Sequence, residues 1–176
     1  MKFDFKDGNG EVPAHRHENG GGWVADTANV DKTAFIGENA HVYGDAWVYE
    51  NARIYGNARV YGNACVYGKA RVYGKAHVFG DAWVCGDARV YENARVFGNA
   101  HVYGDAWVCG NAWVYGNARV FEDDRVFGNA WVCGDARVYE NARIYGDACV
   151  FGNAWVYENA RVYGDAFVCG NACVNK

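Results

Sequence analysis

Leucine is absent from this sequence of 176 residues, and proline and methionine occur once each. A chain without leucine but with 23 glycines and 13 tyrosines does not have the composition of an ordinary globular core. No apolar run is long enough to span a bilayer, and the segment 1–6 has no apolar signal-peptide region. These absences predict a protein with no membrane partner and no export signal.

Charge and cysteine usage narrow the function classes further. The net charge is -4, from 17 basic and 21 acidic side chains, which is too balanced for a strong nucleic-acid footprint. We therefore expect nucleic acid to be a disfavoured partner, although the charge does not exclude it. Seven cysteines without an export signal predict reduced thiols in a cytoplasm rather than a disulfide framework.

A period of six residues runs through most of the chain. Val or Ile recurs at every sixth residue from Val24 to Val174, and Ala stands two residues before each except at Gly22 and Asp124. The unit Ala-x-Val-Tyr alternates inward and outward positions as a short strand does, and six residues are too few for a helical repeat. Gly-Asn or Gly-Asp then supplies a corner, because Gly tolerates positive φ and Asn or Asp can bond nearby backbone. Each unit therefore predicts one strand and one corner.

This unit resembles the hexapeptide-repeat family, most literally in the segment Ile36-Gly37-Glu38-Asn39-Ala40. The resemblance covers Trp23 to the C-terminus, although later units place Tyr, Phe or Cys where the family often has Gly. It implies an all-β fold, a single-stranded left-handed parallel β-helix in which three units close a triangular coil of about 18 residues. We expect about eight such coils, about 40 Å in length, over residues 23–176. Residues 1–22 are expected to form a strand and turn that cap the first coil.

Stacking of coils sorts the outward residues that precede each Val or Ile into three faces. The first face consists of Trp23, His41, Arg59, His77, Arg95, Trp113, Trp131, Cys149 and Phe167. The second face consists of Asn29, Trp47, Cys65, Trp83, His101, Arg119, Arg137, Trp155 and Cys173. The third face consists of Phe35, Arg53, Arg71, Arg89, Trp107, Arg125, Arg143 and Arg161.

The third face is the candidate binding face, because six of its eight outward residues are arginine. Tyr55, Tyr73 and Tyr91 stand beside it, and a basic ladder next to an aromatic ladder could bind phosphates and stack bases or sugars. A protein-binding face and simple stabilisation of the solenoid are the alternatives. Stabilisation is indicated by corner glutamates three residues before an arginine, which predict local charge compensation. These pairs are Glu50–Arg53, Glu92–Arg95, Glu122–Arg125, Glu140–Arg143 and Glu158–Arg161.

The sequence does not contain a recognisable catalytic constellation. Members of the resembled family that are acyltransferases have inserted loops, a catalytic His near a subunit boundary and a C-terminal helix, whereas the register here is unbroken. His41 and His77 stand two coils apart on the first face, and His101 lies on the second. That spacing does not reproduce the three convergent histidines of the family's metal hydratases. We therefore expect no catalytic residue and no cofactor.

Three further residues need separate explanations. His15 and His17 lie on one side of an extended segment and could be two metal ligands, or they could belong to a strand that covers the first coil. Asp124 is the one polar residue at an inward position. A buried carboxylate is costly, so either the coil bulges there or Asp124 accepts backbone N–H bonds, and a functional notch is a third alternative.

We interpret the chain as a non-catalytic interaction or scaffold protein that presents Tyr, Trp and Arg to a protein partner or to itself. An acyltransferase and a polyanion-binding protein are the alternatives. The leader Pro13 to Val24 looks like that of small phage and bacterial hexapeptide-repeat proteins, which implies a bacterial or phage-infected cytoplasm and, as a specialisation, inhibition of a host protein. We also expect a homo-oligomer, preferably a dimer, formed either through the final coil at Val174 or through Trp113 and Trp131.

Overall fold

The structure, a computed structural model, describes residues 1–175. These residues form 28 β-strands and no helix, so no helix that could span a lipid bilayer occurs among them. In chain order the strands are β1 Lys2–Asp4, β2 Glu11–Arg16, β3 Trp23–Ala25, β4 Asn29–Val30, β5 Phe35–Ile36, β6 His41–Val42, β7 Trp47–Val48, β8 Arg53–Ile54, β9 Arg59–Val60, β10 Cys65–Val66, β11 Arg71–Val72, β12 His77–Val78, β13 Trp83–Val84, β14 Arg89–Val90, β15 Arg95–Val96, β16 His101–Val102, β17 Trp107–Val108, β18 Trp113–Val114, β19 Arg119–Val120, β20 Arg125–Val126, β21 Trp131–Val132, β22 Arg137–Val138, β23 Arg143–Ile144, β24 Cys149–Val150, β25 Trp155–Val156, β26 Arg161–Val162, β27 Phe167–Val168 and β28 Cys173–Val174.

The strands from β3 onward stack into three parallel sheets, one for each predicted face. Each strand pairs with the strand three units later, as β3 pairs with β6 and β5 with β8. The first face belongs to an 11-stranded sheet that also includes β1 and β2, the second to a 9-stranded sheet and the third to an 8-stranded sheet. The predicted all-β solenoid of about eight parallel coils of about 18 residues is therefore confirmed.

The interior of the solenoid is a column of valine, isoleucine and alanine, interrupted by Asp124. Inward residues in the middle coils, such as Val60, Ala64 and Val108, are 0% exposed. Ile36, Ile54 and Ile144 stand among the valines, as the six-residue period requires. β-Branched side chains suit this site because they pack closely on a pleated surface, and burying each one contributes roughly 1.5–3 kcal/mol before conformational entropy is subtracted.

The corners explain why glycine is so frequent. Gly62 adopts a φ of 70°, and a Cβ built on it would lie 3.0 Å from the backbone N of Gly80 in the next coil. A residue with a side chain would be strained in this left-handed conformation and would also press on the neighbouring coil. The repeat therefore uses Gly where the chain turns between faces.

Residues 1–22 form an antiparallel extension of the first sheet. Strand β1 pairs with β2, and β2 pairs antiparallel with β3, which places His15 opposite Val24. The leader then runs along the edge of β5, where the Ile36 N–H donates to the Asn19 carbonyl at 2.9 Å and Gly21 forms an antiparallel bridge with Gly37. Two of the three strand edges in the first coil are thus covered by the leader.

Candidate interaction surface

The aromatic residue that follows each inward Val or Ile builds a stacked column along the corner. Beside the third face, the ring centroids of Tyr55 and Tyr73 lie 4.8 Å apart with planes 1° from parallel, and those of Tyr73 and Tyr91 lie 4.9 Å apart. These separations equal the spacing of stacked strands, so each coil contributes one ring to an offset stack. Desolvation by burial raises the pKa of Tyr73. The tyrosines named as binding residues are half-buried structural neighbours of the third face.

The arginines of the third face pack on rings in their own column. The guanidinium carbons of Arg89 and Arg125 each lie 4.8 Å from the ring centroid of Trp107, one from each neighbouring coil. The guanidinium carbon of Arg53 lies 5.1 Å from the ring of Phe35. These are cation–π distances, and guanidinium planes suit such stacking. Trp107 therefore binds two arginines of the chain itself.

The predicted charge compensation between corner glutamates and arginines is wrong. Within residues 1–175, salt bridges within 4.0 Å form only between Lys6 and Asp4 and between His15 and Asp26. The five predicted pairs are Glu50–Arg53, Glu92–Arg95, Glu122–Arg125, Glu140–Arg143 and Glu158–Arg161. The arginines of three of these pairs instead stack on a ring one coil away, because the column offers a flat apolar partner.

The remaining arginines of the third face are the ones available to a ligand. Arg71, Arg143 and Arg161 are exposed, and none has an acidic partner within 4.0 Å in the described chain. Arg143 and Arg161 stand in adjacent coils of the same sheet. The expectation that the third face binds an anion or a protein remains a prediction.

The first face carries two histidines with one arginine between them. Two stacked tryptophans lie further along the same face. Arg59 pairs with His41 on one side and His77 on the other. Burial, and then the charge of Arg59, lower the pKa of both histidines, which keeps the imidazoles neutral at pH 7.

The rings of Trp113 and Trp131, the predicted oligomer contact, stack on each other at 5.3 Å. Val174, the other predicted contact, is half-buried in β28.

The second face carries most of the exposed indole surface. Trp47, Trp83 and Trp155 are 51%, 43% and 39% exposed, and Trp131 on the first face is 43% exposed. Trp83 stacks on His101 at 5.5 Å with planes 3° apart. Exposed aromatic surface of this kind is typical of binding sites.

Two hollows on these faces share one construction that the sequence analysis missed. The second-face slot consists of Trp47, Cys65 and Trp83 in consecutive coils and is an open hollow of about 440 Å³. The first-face slot consists of Trp131, Cys149 and Phe167 in consecutive coils and is an open hollow of about 410 Å³. In each slot a short thiol stands between two large rings. The order Trp, Cys, aromatic within one column was the signal that could have predicted them.

The cysteines are free thiols in the structure, as expected. Five are half-buried, and Cys169 and Cys173 are exposed. Burial raises the pKa of Cys65, Cys109 and Cys149. The thiols of Cys65, Cys109 and Cys149 are therefore protonated and uncharged at neutral pH, which makes these three poor nucleophiles and poor metal ligands.

His15 and His17 have different surroundings although both line one shallow hollow. His15 is exposed, and its Nδ1 lies 2.8 Å from an Asp26 carboxylate oxygen. His17 is 5% exposed, and its Nδ1 lies 3.2 Å from the Asn19 carbonyl oxygen. In the described chain, no group of three or more His, Cys, Asp or Glu side chains is placed to hold a metal ion. Metal binding by this pair remains a prediction.

Asp124 is a hydrogen-bond acceptor inside the solenoid. It is 0% exposed, and its carboxyl oxygens accept the N–H of Ala142 at 2.8 Å and the N–H of Phe121 at 3.4 Å. Strand β20, which follows it, keeps its regular partners on both sides, so there is no bulge. Of the predicted alternatives, bonding to backbone N–H groups is confirmed. Burial outweighs these bonds and raises the pKa of Asp124 to about 8.

Comparison with known proteins supports the same architecture. Residues 52–68, 88–104, 94–110 and 142–158 match the family model of the YdcK β-solenoid repeat. The chain is a β-solenoid repeat protein. The matched segments together cover less than half of the solenoid, and they occur in both its N-terminal half and its C-terminal half. A comparison with curated proteins gives no match.

Proposed function

We propose that this β-solenoid protein is a non-catalytic interaction scaffold whose outer faces bind a protein partner or a second copy of the chain. One observation carries the proposal. Four tryptophans are exposed on a rigid exterior while the inward valines of the same coils are fully buried, and three of the four lie on the second face. Large exposed aromatic side chains cost solubility, and Trp and Arg are the residues most enriched at binding hot spots.

Rigidity supports a binding role more than a catalytic one. Each coil is bonded to the next through backbone N–H and carbonyl groups, for example Trp83 N–H to the Ala100 carbonyl at 2.9 Å. A surface held this way loses little conformational entropy when it binds. The histidines of the coils are neutral and half-buried beside arginines, which is a poor setting for a general base.

The specialisation that we propose is sequestration or inhibition of a host protein. It rests on the resemblance of the leader to small phage and bacterial proteins and on the breadth of the exposed faces. A rigid rod can cover a partner's functional surface without chemistry of its own. In this proposal the specific partner binds at the exposed tryptophans, and Arg71, Arg143 and Arg161 on the third face lie outside that contact.

The experiment compares capture from a host lysate by the wild-type protein and by two double variants. Trp83→Glu with Trp155→Glu should abolish capture of the specific partner, whereas Arg71→Glu with Arg143→Glu on the third face serves as the matched control and should retain it. Light scattering on the reduced protein at tens of micromolar tests self-association with the same variants. Equal capture and an unchanged mass for all three proteins would contradict the proposal. Acetyl-CoA binding by calorimetry would instead support an acyltransferase.

A further inference from the structure

Flat groups occupy successive coils along the outer faces. On the first face, the rings of Trp113 and Trp131 lie 5.3 Å apart with planes 6° from parallel. The guanidinium of Arg95 lies 5.0 Å from the ring of Trp113, one coil in the other direction. One coil spacing therefore accepts one flat group, either a ring or a guanidinium.

The two slots are places where this sequence of flat groups is interrupted. Trp47 and Trp83 stand two coils apart, about 10 Å, and the residue between them, Cys65, has no planar side chain. Trp83 is held by its stack on His101. Trp131 and Phe167 stand in the same relation across Cys149. Each slot therefore lacks one flat group and has the thickness to accept it.

The flank of the second-face slot is acidic. Two residues before each slot residue stand Asp45, Asn63 and Asp81, all exposed. The Asn63 side-chain amide donates to one Asp81 oxygen at 2.9 Å, which leaves the other oxygen of that carboxylate open. Neither aspartate forms a salt bridge within the described chain.

The flank of the first-face slot repeats this arrangement. Its three residues are Asn129, Asp147 and Asp165, all exposed, and the Asn129 amide donates to an Asp147 oxygen at 2.8 Å. No salt bridge within residues 1–175 involves either aspartate. Two slots on different faces thus share two rings, a neutral thiol floor and two unpaired carboxylates. A cation is the charge state that such a flank favours.

We propose that each slot binds the guanidinium group of an arginine side chain that a polypeptide partner presents. This inference rests on the proposed function and names the chemistry of its partner. The chain itself demonstrates the contact, because Trp107 holds the guanidinium groups of Arg89 and Arg125 at 4.8 Å. Lysine is a poorer fit because its ammonium is not planar. A neutral ring would leave the carboxylates without a counter-charge. The free amino acid arginine is a poorer ligand, because its own carboxylate would lie near the carboxylates of the slot.

The experiment titrates the full chain with Nα-acetyl-arginine amide and follows the indole N–H signals of its 7 tryptophans by NMR. The signals of Trp47, Trp83 and Trp131 should move, whereas that of Trp107, already stacked on both sides, should not. Nα-acetyl-lysine amide and Nα-acetyl-tryptophan amide are the comparison probes. We expect arginine to bind at least about five-fold more tightly than either, the scale of one cation–π contact.

The variant Cys65→Arg fills the second-face slot with the chain's own guanidinium. It should fold, because arginine already occupies this column at Arg119 and Arg137. Trp47 and Trp83 should then lose at least about ten-fold in affinity for the arginine probe, while Trp131 in the untouched first-face slot keeps its response. Equal binding of lysine, stronger binding of the tryptophan probe, or no response at Trp47 and Trp83 in the wild type would each overturn the proposal. If partner capture still depends on Trp83 and Trp155 in that case, the proposed function stands without this inference.

Discussion

The turn that leads from a second-face strand to a third-face strand, the second corner, is built in two ways along the solenoid. Gly68, Gly86 and Gly104 occupy it in three successive coils, and Glu122, Glu140 and Glu158 occupy it in the next three. All six residues are in the left-handed region, with φ of 70° to 75° for the glycines and 52° to 62° for the glutamates. The corner residue itself is therefore left-handed in both the glycine stretch and the glutamate stretch. The residue that follows it is left-handed only in the glutamate stretch, at Asn141 and Asn159, with φ of 64° and 60°.

The two stretches differ in how one corner bonds to the next. In the glycine stretch, the Lys69 N–H donates to the Gly86 carbonyl at 2.8 Å. Across the described residues, the N–H groups of Asp123 and Asn141 make no equivalent bond to the corner that follows. The Glu140 N–H instead donates to the carboxylate of Glu122 at 2.9 Å. Between the Glu122 and Glu140 corners a side chain thus replaces the backbone bond. Between the Glu140 and Glu158 corners the backbone bond is reversed, because the Asn159 N–H donates to the Glu140 carbonyl at 2.9 Å.

The aromatic column beside the second corner reflects the same difference. The ring centroids of Tyr49 and Tyr67, where the corner Glu50 is followed by Gly68, lie 4.8 Å apart. Those of Phe121 and Tyr139, where Glu122 is followed by Glu140, lie 5.3 Å apart. One glutamate above a glycine corner thus leaves the ring spacing unchanged, and the spacing is wider where glutamates occupy the corner in successive coils. The interior does not follow, since Val120 and Val138 remain 0% exposed. The buried core keeps the coils aligned, and the change from glycine to glutamate alters the geometry of the corner alone.

The largest effect that we predict concerns Asp124, the inward carboxyl beside the glutamate stretch. Its pKa is about 8 in the folded protein against 3.8 for the unperturbed group, so the folded state retains a proton that the unfolded state has lost. The free energy of unfolding should therefore fall by about 1.4 kcal/mol per pH unit from about pH 4 to about pH 8 and then level off. Between pH 5 and pH 8 this amounts to roughly 4 kcal/mol.

Urea denaturation at several pH values measures this slope, with Asp124→Asn as the control. Asparagine still offers an oxygen to the Ala142 N–H but does not titrate. The difference between the two proteins isolates Asp124 from the other groups that titrate in this range. If the wild type and the variant have the same pH dependence, the carboxyl is not held protonated in the core.

The sequence predicts the repeating parts of the fold because each part follows from a short local pattern that recurs many times along the chain. Alternation of Ala and Val with outward residues defines one strand, and stacking of equal units assigns every outward residue to a face. The pairing of Arg71 with Arg53 and Arg89 follows from that count alone. For Asp124 the sequence left a bulge, backbone N–H bonds and a functional notch as alternatives, and the structure has the N–H bonds without the bulge.

Interactions that depend on side-chain direction were not predicted correctly. Glu50 and Arg53 are neighbours in sequence, yet the guanidinium of Arg53 packs on Phe35, which lies 18 residues earlier. Proximity along the chain misleads in a solenoid because the nearest side chains belong to the adjacent coil. The slots were missed for a related reason, since they depend on which residues a column lacks rather than on any motif.

A smaller effect should follow from placing a Cβ in the glycine stretch. A Cβ at Gly86 would lie 3.0 Å from the backbone N of Gly104, whereas one at Gly164 would meet no atom within 4 Å, and both glycines have positive φ. Gly164→Ala should cost only the left-handed conformation, about 1 kcal/mol. Gly86→Ala should cost about 1–2 kcal/mol more, measured as the free energy of unfolding. Equal losses would mean that the Cβ contact is not what opens the glutamate stretch.

The smallest effect should come from reversing the substitution in the glutamate stretch. Glu140→Gly relieves a left-handed glutamate and removes a charge between Glu122 and Glu158, so the free energy of unfolding should rise by about 0.5–1 kcal/mol. Glu92→Gly is the matched control, because Glu92 has a similar φ, 61° against 60°, but glycines in both adjacent coils. The gain at Glu140 should exceed the gain at Glu92 at low salt, and added NaCl should reduce the excess because exposed charges are screened. An excess that persists in high salt would assign the strain of this stretch to crowding of the backbone rather than to charge.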